Sequence, residues 1–152
     1  MAALKDRLRQ ELTASMKARD ELRSSTLRMV LTAITNAEVS GKQARELTDD
    51  DVTAVLASEG KKRREAATAF ADAQRPELAA KGRAEAAVIA EFLPEPLTEA
   101  EIKDLVADSI TRLGVQGEGV RAMGKVMGAL APRVKGRADG GAVSAEVRRQ
   151  LS

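Results

Sequence analysis

Basic residues and glycines with the spacing of a polyanion-binding site are concentrated between residues 123 and 140. The stretch reads MGKVMGALAPRVKGRADG, and it places Lys125, Arg133, Lys135 and Arg137 among four glycines and a proline. Lysine and arginine bind phosphate oxygens through charge-assisted hydrogen bonds, and glycine lets another backbone approach closely. This combination predicts a surface on which the backbone of a polyanion could lie.

Charge is distributed unevenly around this stretch. Residues 119–152 hold seven basic and two acidic side chains, whereas residues 95–118 hold two basic and six acidic ones. One interpretation is that the basic segment contacts an anionic partner. The alternative is that the two segments pack together and neutralise each other, and charge alone favours neither.

Composition excludes several kinds of site. The chain has no histidine, cysteine, tryptophan or tyrosine, so it has no cysteine nucleophile, no histidine base and no thiolate or imidazole ligand for zinc. The carboxylates of Asp49, Asp50 and Asp51 are better explained as charges complementing a helix N-terminus. We therefore assign no catalytic residue, no metal site and no cofactor.

The periodicity predicts an all-α protein divided at Pro94-Glu95-Pro96, because proline cannot continue a helix. Residues 1–93 are expected to form an elongated N-terminal subdomain of about four helices. Asp20 and Thr48 are predicted N-caps, Pro76 suits a first helical turn, and Gly82 is expected to interrupt the fourth helix. Residues 97–152 are expected to form a three-helix subdomain that begins at a capping box, Thr98 to Glu101.

The sixth helix is the element expected to present the basic residues. An apolar face is predicted from Val120, Met123, Met127, Leu130 and Val134, with Arg121, Lys125, Pro132 and Arg133 on the opposite side. Gly124 and Gly128, one turn apart, favour a tight helix–helix crossing over close approach by a nucleic-acid strand. Pro132 predicts a kink near Gly128 that would direct the following basic residues outward.

The turn after this helix has two interpretations. Gly136 can adopt a positive φ at the helix end, and Asp139-Gly140 can begin a last helix. Capping alone would account for these residues, with the charges solvated. The functional interpretation adds that the amides at the start of the last helix, with Lys135 and Arg137, form an anion site.

Two further features concern location and the rest of the surface. The N-terminus carries charges where a signal peptide needs an apolar core, and no apolar run approaches membrane-spanning length, so a soluble, cytoplasmic protein without membrane contact is expected. The run Lys61-Lys62-Arg63-Arg64 spreads around its helix between Glu59 and Glu65. A solvated surface is favoured there over a binding patch.

The stretch at residues 123–140 resembles the hallmark of the GatB/YqeY family, specifically its stand-alone YqeY-like proteins. Two other places agree: residues 27–38, with Leu27-Arg28-Met29-Val30, and the junction Phe92 to Thr98. One departure is Ala131, where family members commonly have methionine before the proline. The resemblance implies that the C-terminal subdomain is similar to the tail of the B subunit of tRNA-dependent amidotransferases, which helps to hold tRNA.

The resemblance also implies site residues. Lys125, Arg133, Lys135, Gly136 and Arg137 correspond to the basic, RNA-facing region of that tail. Arg121 completes the set of candidate RNA-binding residues, while Gly124, Gly128, Pro132, Asp139 and Gly140 are assigned to the turn and caps. The carbon–nitrogen ligase activity with glutamine as amido donor that the family label mentions rests on the shared tail, and the chain has no room for the catalytic domain or the amidase.

Three functional hypotheses remain. The first is an RNA-binding accessory module, with tRNA as the candidate ligand and an amidotransferase or another translation protein as a candidate partner. The second is a helical adaptor that binds other proteins. The third, a glutamine-dependent ligase, is least favoured, since the sequence has no phosphate-binding glycine loop and no activated nucleophile.

Overall fold

The computed structural model describes residues 3–152, and all the regular structure in that range is helical. The helices are α1 Ala3–Lys17, α2 Glu21–Val39, α3 Asp49–Asp72, α4 Pro76–Ala90, α5 Glu99–Leu113, α6 Met123–Val134 and α7 Gly140–Leu151, with a 3₁₀ turn at Gly119–Ala122. The prediction of an all-α protein is confirmed. None of the described helices is long and apolar enough to cross a bilayer.

The helix ends follow local sequence signals. The side chain of Asp20 accepts a hydrogen bond from the backbone N–H of Arg23 at the start of α2. Thr48 and Thr98 each form a capping box with the acidic residue three positions later. Such caps satisfy N–H groups that have no partner inside the helix, so these three boundaries are predictable from a few residues each.

The chain divides into two compact units, the first reaching Leu93 and the second beginning at Pro94. In the first unit, α1 and α2 pack with the N-terminal part of α3 and the C-terminal part of α4. Its buried apolar residues are Leu8, Leu27, Val30, Ile34, Leu47, Val52, Leu56, Val88, Ile89 and Phe92. A buried ion pair reinforces this packing: Lys5 Nζ lies 2.7 Å from Glu38 Oε1, and Glu38 also accepts the N–H of Leu47.

The remaining parts of α3 and α4 form a hairpin packed through small residues. An added Cβ at Gly82 would lie 3.1 Å from Ala67 Cβ and 3.2 Å from the carbonyl oxygen of Arg63. An added Cβ at Gly60 would lie 3.5 Å from Ile89 Cγ2. The prediction that Gly82 interrupts α4 is wrong, because the helix runs through it and its missing side chain lets the two backbones approach.

The second unit has its own core. Its buried residues are Val106, Ile110, Val115, Ala122, Val126, Leu130, Val134, Val143, Val147 and Leu151. Val126 is fully buried but was not among the residues predicted for the apolar face of α6. Val120 was predicted there wrongly: it lies in the 3₁₀ turn before α6 and is 56% exposed.

Candidate functional site

The outward side of α6 is made of residues with little or no side chain. Gly124, Gly128, Ala131 and Pro132 are all exposed, and a Cβ added at Gly124 or Gly128 would have no described heavy atom within 4 Å. The tight helix–helix crossing favoured from the sequence is therefore wrong for the described chain. The two glycines face away from the buried side of α6, which packs Val126, Leu130 and Val134 into the core.

Three cations border these four small residues. Arg121 lies in the 3₁₀ turn, Lys125 in the first turn of α6 and Lys135 at its C-terminal end, and each is exposed. Within residues 3–152, none of the three makes a side-chain hydrogen bond or an ion pair. We call the three cations and the four small residues together the basic face. It combines uncompensated positive charge with accessible helix backbone.

Arg133 belongs to a different arrangement. Its Nη1 lies 3.0 Å from Oδ2 of Asp108 on α5, and Arg112 binds the same carboxylate at 3.1 Å. The hydrogen bond from Arg133 is the main cause that holds the pKa of Asp108 below its ordinary value. The interpretation in which acidic and basic segments neutralise each other thus applies to Arg133.

The side chain of Arg137 binds a backbone carbonyl oxygen rather than a carboxylate. Its Nε donates a hydrogen bond of 3.0 Å to the carbonyl oxygen of Glu95, and its own carbonyl oxygen accepts the N–H of Leu97 at 2.8 Å. We call this pair of bonds the Arg137 clasp. It fastens residues 95–97 to the turn between α6 and α7, so Arg137 has a structural role at this position.

The turn residues show the predicted backbone geometry. Gly136 has φ of +74°, directly after the C-cap Lys135, and left-handed geometry of this kind favours glycine. Asp139 occupies the N-cap position of α7 with extended dihedrals, and α7 begins at Gly140, but the predicted cap is not formed by the Asp139 side chain, which makes no capping hydrogen bond. Pro132 lies inside α6, which continues two residues beyond it to Val134.

Other charged clusters in the described chain are mostly accounted for by local ion pairs. The exception is Arg63, whose buried Nε has no hydrogen-bond partner among the described residues. Arg149 binds Glu146 at 2.7 Å and is the main cause that lowers the pKa of Glu146 to about 2. In the basic run of α3, Lys62 Nζ lies 3.7 Å from Glu59 and Lys61 Nζ lies 4.0 Å from Glu65. Among the described residues, no group of three or more acidic side chains is arranged to hold a metal ion.

The structure thus divides the six candidate RNA-binding residues. Arg121, Lys125 and Lys135 lie on the basic face, Arg133 and Arg137 are held by other groups of the second unit, and Gly136 shapes the turn. The sequence carried a partial signal within α6, because Arg133 lies closer than Lys125 to the buried Leu130 around the helix. Helical periodicity alone could not show which acceptor each arginine would find.

Comparison with known proteins gives two findings. An uncharacterized protein of Schizosaccharomyces pombe (strain 972 / ATCC 24843) is 39% identical over 88 residues, which are 58% of this chain and 70% of that protein. The family described as "Yqey-like protein" matches residues 5–151. Because this match takes in nearly the whole chain and includes both units, the protein belongs to the Yqey-like protein family.

Proposed function

We propose that this protein is an RNA-binding accessory module, with tRNA as the first ligand to test, and that the basic face of α6 contacts the RNA backbone. The observation that carries the proposal is that Arg121, Lys125 and Lys135 have no acceptor within the described chain and border helix backbone left open by Gly124 and Gly128. A phosphate backbone supplies acceptors spaced along a line. The small residues between the cations would let that backbone approach α6 closely.

The proposed recognition depends on phosphates rather than bases. Base stacking in RNA-binding proteins uses aromatic side chains, and the chain has only Phe70 and Phe92, both in the first unit. The affinity should therefore depend steeply on salt. Each phosphate contact contributes roughly 0.7 to 0.9 to the slope of log K against log salt concentration.

The proposal includes no chemical step. The ligase activity that the family label suggests would require a nucleophile or a phosphate-binding loop, and the sequence has neither cysteine nor histidine nor a glycine loop of that type. We assign the protein a role beside a catalytic partner in translation, such as an amidotransferase. Turnover of glutamine or ATP by the purified protein would contradict this part of the proposal.

The test is fluorescence anisotropy with labelled bulk tRNA across a salt series. The variant Arg121→Glu/Lys125→Glu/Lys135→Glu reverses the charge of the basic face. It leaves the Arg133–Asp108 ion pair and the Arg137 clasp unchanged. A control with the same change in charge is Lys17→Glu/Lys42→Glu/Lys81→Glu, which alters three exposed lysines of the first unit.

We expect the first variant to lose binding at moderate salt and to reduce the slope by roughly two to three, because three phosphate contacts are lost. The control should shift affinity slightly through net charge and leave the slope nearly unchanged. Equal losses in the two variants would show that net charge alone drives binding. Undiminished binding by the first variant would rule out the basic face.

A further inference from the structure

The exposed side of α2 is built from residues that weaken a helix. Ser25, Thr32, Thr35 and Asn36 are exposed and lie with Arg28 along one side of α2, at the spacing of a single helix face. Serine, threonine and asparagine are less favourable in a helix than alanine, lysine or glutamate. The exposed surfaces of α3 and α4 consist largely of the latter types, so the composition of α2 is unusual within its own unit.

Of the three hydroxyl groups on this side, only that of Ser25 makes a hydrogen bond within the described chain, to the carbonyl oxygen of Leu22 at 3.1 Å. Elsewhere in the described helices, Thr13, Thr26 and Thr68 each donate to the carbonyl oxygen four residues earlier, at 3.2, 2.8 and 3.2 Å. Thr32 and Thr35 make no such bond, and the Asn36 amide has no hydrogen-bond partner among residues 3–152. Three polar groups are thus directed toward solvent, where a second molecule could reach them.

One wall of a groove between α1 and α2 is formed by Arg28, Thr32, Thr35 and Asn36. The opposite wall comes from Lys5, Arg9 and Leu12, and the half-buried side chains of Leu12 and Leu31 supply an apolar floor. Met16, which is 44% exposed, lies beyond Arg28 in a neighbouring depression that Asp20 and Glu21 also line. From Arg28 to Asn36 the wall is about 12 Å long, roughly two turns of helix.

The charge in the groove is positive. Lys5 is neutralised by Glu38, whereas Arg9 lies 3.8 Å from Asp6 and contributes to lowering the pKa of Glu38 without a hydrogen bond to it. Arg28 contacts the sulfur of Met16 at 3.1 Å and makes no ion pair with any described carboxylate. Two guanidinium groups, one on each wall, are therefore available to an acidic ligand.

We infer that the α1–α2 groove binds an amphipathic helix of a protein partner, whose apolar stripe lies on Leu12 and Leu31 and whose flanking carboxylates pair with Arg9 and Arg28. Thr32, Thr35 and Asn36 would hydrogen-bond polar groups at the edge of that helix. Helix-in-groove recognition of this kind combines an apolar floor with charged edges. An RNA strand would gain little from a leucine floor, and the groove has no aromatic side chain for a base to stack on.

The experiment selects ligands for the groove without assuming a partner. A phage library of random helical 18-residue peptides is selected on the full-length protein and counter-selected on the variant Arg9→Glu/Arg28→Glu. We expect the surviving peptides to carry apolar residues at i, i+3, i+4 and i+7 with Asp or Glu beside them. Replacing those acids by lysine should abolish binding to the natural protein and restore binding to the variant.

A second variant separates binding from folding. The variant Thr32→Ala/Thr35→Ala/Asn36→Ala raises the helix propensity of α2. Weaker peptide binding by this variant would therefore not result from unfolding of α2. We expect the variant to bind a selected peptide about tenfold more weakly. Selected peptides without an excess of acidic residues, or equal binding of a selected peptide to the natural protein and to this alanine variant, would overturn the inference.

Peptide binding in the groove and RNA binding at the basic face can be tested separately. Arg9→Glu/Arg28→Glu should leave the salt slope of tRNA binding near that of the natural protein, and the basic-face variant should retain the peptide. If tRNA instead competes with the peptide for the groove, the ligand is a nucleic acid and the inference of a protein partner is wrong.

Discussion

Two regions of this protein place glycines inside helices, and they use them in opposite ways. In the α3–α4 hairpin, a Cβ at Gly82 would lie 3.1 Å from Ala67 and 3.2 Å from a backbone oxygen. On α6, a Cβ at Gly124 or Gly128 would have no described heavy atom within 4 Å. The first pair of helices needs its glycine to pack, whereas α6 gains no packing within the described chain from its glycines.

The difference concerns where the cost of helical glycine is offset. Glycine within a helix is less favourable than alanine by about 1 kcal/mol. In the hairpin, that cost is offset by the contact between the backbones of α3 and α4. On α6 no contact of the described chain offsets it, which is the behaviour expected of a surface kept open for another molecule.

The substitution with the largest expected effect on stability is Gly82→Val. A branched side chain there would meet the backbone of α3, which cannot move away as a flexible side chain could. Overpacking of this kind typically costs 1–3 kcal/mol, and we expect about 3 kcal/mol because a backbone atom is involved. Urea unfolding followed by circular dichroism measures the change.

The matched control is Ala80→Val, an exposed position in the same helix. It introduces the same side chain and should cost about 0.5 kcal/mol or less, through helix propensity alone. Equal costs at the two positions would mean that α3 and α4 do not depend on close approach at Gly82.

The next test adds bulk to the open surface with Gly124→Leu/Gly128→Leu. Because each new side chain would meet only solvent, we expect stability to be unchanged or slightly higher, while tRNA affinity falls about tenfold, or about 1.4 kcal/mol. The control Ala107→Leu/Thr111→Leu adds bulk one turn apart on the exposed side of α5. Unchanged tRNA affinity in the first variant would show that RNA does not approach the α6 backbone.

A smaller change, Gly128→Ala, measures how much the low helix propensity of glycine destabilises α6 at an uncrowded position. The position is helical and uncrowded, so alanine should stabilise the second unit by about 1 kcal/mol or less. The thermal midpoint measured alongside Gly82→Ala checks the sign. If Gly128→Ala were destabilising, an unseen contact would have to cover that side of α6.

A change of pH adds a further contrast, because the close contact at Gly82 depends on shape whereas α7 carries the Glu146–Arg149 ion pair. The pKa of Glu146 is lowered to about 2, against about 4.3 for an ordinary glutamate. The stabilisation from this depressed pKa is complete above about pH 4.3 and is lost as the pH falls toward 2. We expect Glu146→Gln to destabilise the second unit at pH 7 and to have little effect at pH 2.

The measurement is urea unfolding at the two pH values, with Gly82→Val as the reference. The cost of Gly82→Val arises from shape and should be similar at both. A Glu146→Gln effect that persists undiminished at pH 2 would mean that the side chain stabilises α7 by packing rather than through its charge.

Much of the fold could be predicted from the sequence because its signals are local. Asp20, Thr48 and Thr98 satisfy N–H groups within three residues of themselves, and Pro76 begins α4 as its missing N–H allows. The role of the helical glycines was harder to predict, since a glycine in a helix can either contact a neighbouring helix or be exposed to solvent. Deciding between Gly82 and Gly128 requires knowing which helices become neighbours.

The candidate site was predictable as a region but not residue by residue. The cluster of cations at residues 121–137 predicted a basic surface, and Arg121, Lys125 and Lys135 are exposed there. Arg133 and Arg137 find their acceptors 25 and 42 residues away in the sequence, and a helical wheel does not contain that information. The α1–α2 groove carried a signal that could have been used, since three poor helix formers, Thr32, Thr35 and Asn36, lie on the face of α2 that lines it.

The Arg137 clasp has a practical consequence for cutting the chain into parts. One of its hydrogen bonds ends on the carbonyl oxygen of Glu95 and the other starts from the N–H of Leu97. Residues that stabilise the second unit therefore begin at Pro94 and not at the first residue of α5. A C-terminal fragment that starts at Thr98 would retain every helix of that unit and still leave Arg137 without the carbonyl it holds. Fusions, swaps and isotope-labelled halves of this protein should therefore be joined between Leu93 and Pro94.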